Sequence, residues 1–442
     1  MLREEDIAIE LRCQQFLCKC YIRDITGDQS VLLFESEQEA KDVSCPHCRG
    51  DVYADGFGRI TLKDMPVWYG MAQELTFMCH QYECRQCGKK FTEKVPLQHP
   101  GTKVTDRAAR WIQAMLRFKV SIRSIQGLTG IHWDTIRNLH LEIMESTLEE
   151  HMAELKSSGY RPRLLAVDEF AIHKGHTYAT CVMDLETGEV LWVGEGRSKE
   201  DFERFFAETD PDFLSDVMAV AMDMNASYHL LVRKHLPDAR IVYDRYHMQA
   251  QFGKDVLGVV RLTEARAHKE KADALRESLS QLQGNERKQA KEEARQERHE
   301  YTRVKRARWA LLKNPNTLRE SQAAHLSEIL DAHSDLAVCY AMKEEMCSLF
   351  DLRDAVVAEN AWRKWFAAAK ESGIPALVRF AELKEKRIDG LIAHAIYPIS
   401  TGKLEGFNNK IKVAKRLAYG YRDNHFFFTL VRFLSVPFPN FQ

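Results

Sequence analysis

Two groups of side chains have the types and spacing to hold metal ions. The first is Cys45, Cys48, Cys84 and Cys87, two Cys-x-x-Cys pairs. Each pair is a tight knuckle aiming two thiolates at one point, and two knuckles complete the tetrahedron that one Zn²⁺ favours. A glycine follows each pair (Gly50 and Gly88), as a turn requires. The stretches RITLKDMP and ELTFMCHQYEC between the knuckles alternate in strand fashion, so the gap accommodates a β-hairpin. Cys79 and His80 lie on the second stretch and read as packing residues rather than ligands. Cys13, Cys18 and Cys20 read as half-buried thiols.

The second group is acidic. Leu164 to Val167 is short and apolar, as a buried strand would be, and Asp168 follows it directly. A carboxylate there is costly unless it is paired, hydrogen-bonded or holding a metal. Asp223 ends a similar run, VAMDMN. Glu405 falls on or just before the helical run Ile411, Val413, Ala414 and Leu417, with Lys403, Lys410, Lys412, Lys415 and Arg416 crowded around it. Each acid alone is an ordinary loop carboxylate. Three gathered at one sheet edge would repel one another unless divalent cations lay between them, and Mg²⁺ (or Mn²⁺) prefers such hard oxygen ligands. Two ions about 4 Å apart can activate a water or a 3′-hydroxyl and stabilise the leaving oxygen of a phosphodiester.

The elements that must position these acids are legible. RLLAVDEFAI, TYATCVMDL, EVLWVGEG, DVMAVAMDM and ARIVYDRYH read as strands, with ETGE a hairpin turn. SKEDFERFFAET and SYHLLVRKHLP read as helices flanking the fourth strand. The order β-β-β-α-β-α-β is the ribonuclease-H-like arrangement, in which the strand ends carrying Asp168 and Asp223 are neighbours and a late helix bearing Glu405 reaches the same edge. From roughly Met248 to Ile396 no strand signal appears, which indicates a large all-α insertion. Its segment from Arg276 to Asn314 is charged and helical, with Lys288 to Arg306 a solvated face.

Upstream, Thr105 can cap a helix carrying Ala108, Ile112 and Leu116, and Ser121 a short helix with Ile122, Ile125 and Leu128. TGI then turns into a helix with Ile136 and Leu139 inward and Asp134, Arg137 and Asn138 outward. That is a helix-turn-helix pattern. Lys103, Arg107, Arg110, Arg117, Lys119, Arg123 and Arg137 make the unit basic, which favours DNA. His132 stands where a Ser or Thr cap is expected. The implied organisation is an unassigned segment 1–40, a zinc-binding ribbon 41–98, a helix-turn-helix domain 99–155, the first part of the core 160–255, the insertion 256–396, and the C-terminal helical part of the core 397–442.

Bulk properties are compatible with this reading. The 442 residues, 45% hydrophobic, suffice for roughly two to four domains. Net charge is −1, so only local patches speak to nucleic acid. The 11 cysteines are a poor disulfide framework and suit a reducing compartment. No apolar run spans a membrane and the N-terminus lacks a signal-peptide core, so a cytoplasmic location is expected, nucleoid-associated when DNA is bound.

The stretches CPHC…CRQC, DEFAIHKGHTYAT, DMNASY, LPDARIVYDRYHM, RWALLKN and STGKLEGFNNKIKVAKRLAYGY carry a resemblance. From about residue 45 almost to the C-terminus the chain resembles the ISL3 family of insertion-sequence transposases, a bacterial D-D-E group. The resemblance implies Asp168, Asp223 and Glu405 as catalytic triad and metal ligands, and a zinc module and helix-turn-helix that recognise the element's ends. It implies that Asp244 and His247, a DxxH signature, orient DNA near the cut, with a structural role the alternative for His247. Lys403, Lys410, Lys412 and Arg416 are expected to neutralise backbone phosphates, and Arg137 and Asn138 to read bases. The expected partners are terminal inverted repeats and target DNA, held by at least a homodimer. The rival readings are a catalytically inactive, domesticated DNA-binding regulator and a zinc-ribbon regulator with a helical partner-binding arm.

Overall fold

The computed structural model describes residues 16–19, 29–36, 43–65, 72–95, 97–173, 177–418 and 420–437. The chain divides into two compact units, Met1–Glu150 and His151–Gln442.

The first unit is built on β3 (Val52–Asp64) and β4 (Ala72–Cys84), a long antiparallel pair. Its ladder slips between Ala54 and Phe57, where Gly56 takes a φ of 112° that a side chain would resist. β1 (Phe16–Lys19) and β2 (Gln29–Ser36) extend the sheet in the order β1-β2-β4-β3, and β5 (Lys90–Thr92) pairs with the end of β4. The run Thr26–Gly27–Asp28, a turn signal in the sequence, lies outside the described residues. Cys79 packs in the interior, and burial pushes its thiol up to about 12.

Three helices follow: α1 (Asp106–Arg117), α2 (Ile122–Thr129) and α3 (Trp133–Ser157). Thr105 and Ser121 cap α1 and α2 by accepting from Ala108 N and Ser124 N. Gly130, at φ 62°, makes the left-handed turn into α3. His132 takes the vacant capping role, its Nδ1 accepting from Asp134 N at 3.4 Å. Ile112, Ile125, Ile136 and Leu139 close a common core. Arg107 does not belong to the basic surface: it forks onto Asp64 of β3, whose carboxylate is fully buried and also accepts from Thr105 Oγ1 at 2.6 Å. The exposed cations here are Lys103, Arg110, Lys119 and Arg123.

The second unit centres on a five-stranded sheet in the order β10-β9-β6-β7-β8. β6 (Leu164–Ala171), β7 (Tyr178–Asp184) and β8 (Val190–Glu195) form an antiparallel meander. β9 (Ala219–Met222) and β10 (Arg240–Tyr243) join parallel to β6, connected through α4 (Lys199–Glu208) and α5 (Ala226–His235). The β-β-β-α-β-α-β order is as read from the sequence. Strand alternation sorts the side chains onto two faces. Leu165, Val167, Val220 and Met222 point to one core; Ala166, Phe170, Cys181 and Ala221 point to the other.

Helices cover both faces. α6 (Arg245–Phe252) continues through a π turn (Gly253–Leu257) into α7 (Gly258–Ser278), which pairs antiparallel with α8 (Gly284–Arg306). The charged segment thus spans the break at 279–283 between two paired helices. After α9 (Arg308–Leu312) come α10 (Glu320–Ala332), α11 (Ser334–Leu349), α12 (Ala355–Glu371), α13 (Pro375–Glu385) and α14 (Ile388–Ile396). Trp362, Trp365, Phe366 and Phe380 from these helices share one continuous core with Val167 and Met222. The opposite face is covered by α15 (Gly402–Leu417) and α16 (Asn424–Phe433). On α15 the buried stripe is Leu404, Phe407 and Ile411, while Val413 of the expected run is exposed. Among the described residues no helix is long and apolar enough to cross a membrane.

Candidate active site and metal centre

Val167 of β6 lies opposite Met222 of β9 in parallel register, so Asp168 and Asp223, the residues that follow them, are neighbours. Sequence alone places Asp168 at a strand end. In the structure it lies inside β6, opposite Cys181 of β7, and the open edge arises because β9 stops at Met222. Asp168 Oδ1 accepts from Glu169 N at 2.8 Å, and Asp223 Oδ1 from Met224 N at 2.6 Å.

His247 stands between the two acids. Its Nε2 is 3.9 Å from Asp168 Oδ1 and its Nδ1 is 3.8 Å from Asp223 Oδ2. These separations are too long for hydrogen bonds. Burial raises the Asp168 carboxyl to about 6; the Glu169 N–H and His247 act in the opposite direction.

The position of His247 is set by Asp244. Asp244 Oδ1 caps α6 by accepting from Tyr246 N at 2.7 Å and His247 N at 3.1 Å. Its Oδ2 accepts from Thr401 N at 2.8 Å, at the entry to α15. Asp244 is 2% exposed with both oxygens spent on backbone N–H groups. With both oxygens engaged, this carboxylate ties the start of α6 to the entry of α15. Thr401 makes no side-chain cap bond, and only Ser400 Oγ accepts, from Gly402 N at 3.2 Å.

Sequence reasoning missed Asn408. It is buried on α15 and its Nδ2 donates to Asp168 Oδ2 at 3.1 Å. The available signal was a polar residue at i+4 from Leu404, within the apolar stripe of an amphipathic helix. Glu405 is exposed in the first turn of the same helix. Thr401, Glu405 and Asn408 fall at i, i+4 and i+7, on one helix face. Glu405 therefore lies between the residue that ties to Asp244 and the residue that ties to Asp168. Among the described residues, only the four cysteines bring three or more metal-ligating groups within 4.8 Å of one another, so the three acids do not converge that tightly.

The cysteines do. Cys45 Sγ is 3.6 Å from Cys87 Sγ, and Cys48 Sγ is 3.4 Å from Cys84 Sγ. The knuckles are near copies: Arg49 N donates to Cys45 O at 2.8 Å and Gly88 N to Cys84 O at 3.0 Å. The left-handed residue is Gly88 in one knuckle but Arg49, not Gly50, in the other. Gly50 faces the exposed Gln86 side chain of the other knuckle, whose Oε1 would lie 2.4 Å from a Cβ at that position. The Cys87 N–H, helped by that of Gln86, outweighs burial and lowers the Cys84 thiol to about 6. His80 is not part of the cluster; its Nδ1 lies 3.6 Å from Glu93 Oε2.

The family model of the ISL3 transposases matches residues 165–431, from the start of β6 through α16. The chain belongs to the ISL3 transposase family. It is 33% identical over 349 residues to the transposase of insertion sequence IS1001 from Bordetella parapertussis, covering 79% of this chain and 78% of that one. It is 29% identical over 314 residues to the transposase of IS1557 from Mycobacterium tuberculosis (strain CDC 1551 / Oshkosh), covering 70% and 67%.

The cations expected to meet DNA are unevenly disposed on this transposase. Lys410, Lys412 and Arg416 are exposed along α15, with Lys410 Nζ 5.7 Å from the Phe407 ring centroid. Lys403 is anchored instead, its Nζ donating to Leu185 O at 2.5 Å. Lys415 likewise donates to Ala171 O at 2.7 Å and aligns α15 along β6. On α3, Asn138 is exposed and Arg137 half-buried, the Arg137 guanidinium donating to Asn138 Oδ1 at 3.2 Å.

Proposed function

We propose that the second unit is a ribonuclease-H-like D-D-E core that cuts the ends of an insertion sequence and joins them to target DNA. The observation that carries this reading is the pairing of Asp168 with Asp223 on parallel strands around His247, with Glu405 on a helix tied to both sides of that pair. Asp168, Asp223 and Glu405 are the residues that would hold two Mg²⁺ (or Mn²⁺). The residues fit such ions: they are hard oxygen donors, and burial alone leaves the Asp168 carboxylate short of compensating positive charge. When bound, the ions supply Lewis-acid activation of the attacking hydroxyl and charge neutralisation at the phosphodiester.

The chain's own residues do the rest. Asn408 holds one Asp168 oxygen, Asp244 fixes the helices that carry His247 and Glu405, and Lys410, Lys412 and Arg416 offset the charge of the DNA backbone. No serine or tyrosine nucleophile is assigned. In the first unit Cys45, Cys48, Cys84 and Cys87 hold one structural Zn²⁺, and α1 to α3 form a helix-turn-helix that reads the terminal repeats through Arg137 and Asn138. Two ends must be held together, so the active form is a homodimer or larger.

The test is a strand-cleavage assay on duplexes carrying the element's terminal inverted repeats, with Mg²⁺ or Mn²⁺. Wild-type chain should nick at the repeat boundary, and Asp168→Ala, Asp223→Ala and Glu405→Ala should each abolish nicking while repeat binding persists. A wild-type chain that binds the repeats but never nicks them would leave the domesticated regulator as the correct reading.

A further inference from the structure

Two cations reach the carboxylate edge from the helical insertion, and no motif accounts for them. Lys384 lies in the last turn of α13 and Arg387 follows that helix. Lys384 Nζ donates to Gln251 Oε1, lies 3.2 Å from Met224 Sδ, and sits 5.3 Å from the Phe380 ring centroid. The Arg387 guanidinium donates to Met224 O and lies 6.0 Å from the Tyr243 ring centroid. Met224 is the residue after Asp223, and Gln251 is one helical turn beyond His247 on α6. The insertion thus grips the chain immediately beside the acid pair.

These cations are half-buried, yet among the described residues neither has a carboxylate within 4.0 Å. Asp223 and Asp255 act on Lys384 only from beyond that distance, and burial depresses its pKa. In the same insertion half-buried Arg303 is matched by Glu300 and Glu328, whereas the more deeply buried Arg261 donates to a backbone carbonyl, Lys305 O. A desolvated cation bonded only to neutral acceptors is costly and gains from a mobile anion. The guanidinium fork suits phosphate oxygens, and the ammonium supplies a compact charge beside it.

We propose that Lys384 and Arg387 form a phosphate-binding site, supplied by the insertion, for the DNA strand entering the carboxylate centre. The proposal rests on the reading of Asp168 and Asp223 as that centre. It gives the insertion a direct role at the cut: it offsets the repulsion between DNA and the acids on the Asp223 side, as Lys410, Lys412 and Arg416 do along α15.

The experiment uses the full chain, Lys384→Gln, Arg387→Gln and the double variant, with terminal-repeat duplexes extending past the cleavage site. Binding is measured across a salt series with Ca²⁺ replacing Mg²⁺, and nicking with Mg²⁺. Each substitution should lower the slope of log affinity against log salt by about one. Each should also slow nicking at least roughly tenfold, with Arg387→Lys recovering part of the loss. Variants that melt earlier but keep the wild-type salt slope and the nicking rate of the folded fraction would reduce both residues to structural clamps and overturn the proposal. A wild-type chain that never nicks overturns the reading of the centre instead, and the salt slopes still decide the phosphate site.

Discussion

Asp244 Oδ2 accepts a hydrogen bond from Thr401 N at 2.8 Å, between residues 157 apart in sequence. One carboxylate thereby caps α6, which carries His247, and fixes the entry of α15, which carries Glu405. The whole helical insertion lies between these two residues in sequence.

Removing that carboxylate should therefore disturb the site without touching DNA. Asp244→Ala strands three N–H groups, and a loss of roughly 2–4 kcal/mol in stability is expected. Calorimetry should show the lower melting temperature, nicking should fall at least tenfold, and repeat affinity should stay within about twofold. A large drop in affinity at unchanged melting temperature would show that Asp244 meets DNA after all.

Asn408 should behave as a positioning residue for Asp168. Asn408→Ala frees one Asp168 oxygen, for an expected cost of about 1–2 kcal/mol. Asn408→Asp sets a second anion against Asp168 and should cost more, since like charges disfavour one another's ionised form. The check is the Mn²⁺ concentration giving half-maximal nicking, which should rise in Asn408→Ala. A purely structural role would lower stability and leave that midpoint where it was.

The elevated Asp168 pKa fixes a pH dependence for the metal-free chain. Its folded value of about 6 lies above the ordinary carboxylate value, near 3.9. The folded state then keeps a proton that the unfolded state has released between roughly pH 4 and 6. Stability should fall as pH rises through that window and level off above it. Asp168→Asn should consequently be more stable than wild type at pH 7, by about 1–3 kcal/mol, and indistinguishable at pH 4. Thermal melts in chelator at the two pH values would show it; equal melting temperatures at pH 7 would contradict the buried, undercompensated anion.

The cysteine cluster predicts a stoichiometry. Purified chain should carry one Zn²⁺, and Cys84→Ser should carry none, because a three-thiolate remnant loses the closed tetrahedron. Elemental analysis reads the count. A strong chelator should lower repeat binding of wild type and spare nonspecific DNA binding, if α1 to α3 stay folded. Retention of a full zinc equivalent by Cys84→Ser would place the ion elsewhere.

Much of this architecture was legible one residue at a time. Strand alternation marks β6 to β10, the Thr105 and Ser121 caps announce their helices, and Cys-x-x-Cys spacing announces the knuckles. What escaped were bonds between distant segments. Asn408 looked like one polar residue among several, Arg107 like another surface cation, and Asp244 like one half of a DxxH signature. Each took its role from a partner 157, 43 or 240 residues away.

The sequence alone determined the elements, the acids and thiols they carry, and the family, because local periodicity and residue chemistry need no partner to be read. Only the tertiary structure decided that Asp168 is interior to its strand, that the left-handed knuckle residue is Arg49, and that the insertion delivers Lys384 and Arg387 beside Asp223. The physical reason is that burial and pairing depend on which segments meet across a sheet edge. A side chain's charge is written in its own position, whereas its cost and its use are set by what the fold brings against it.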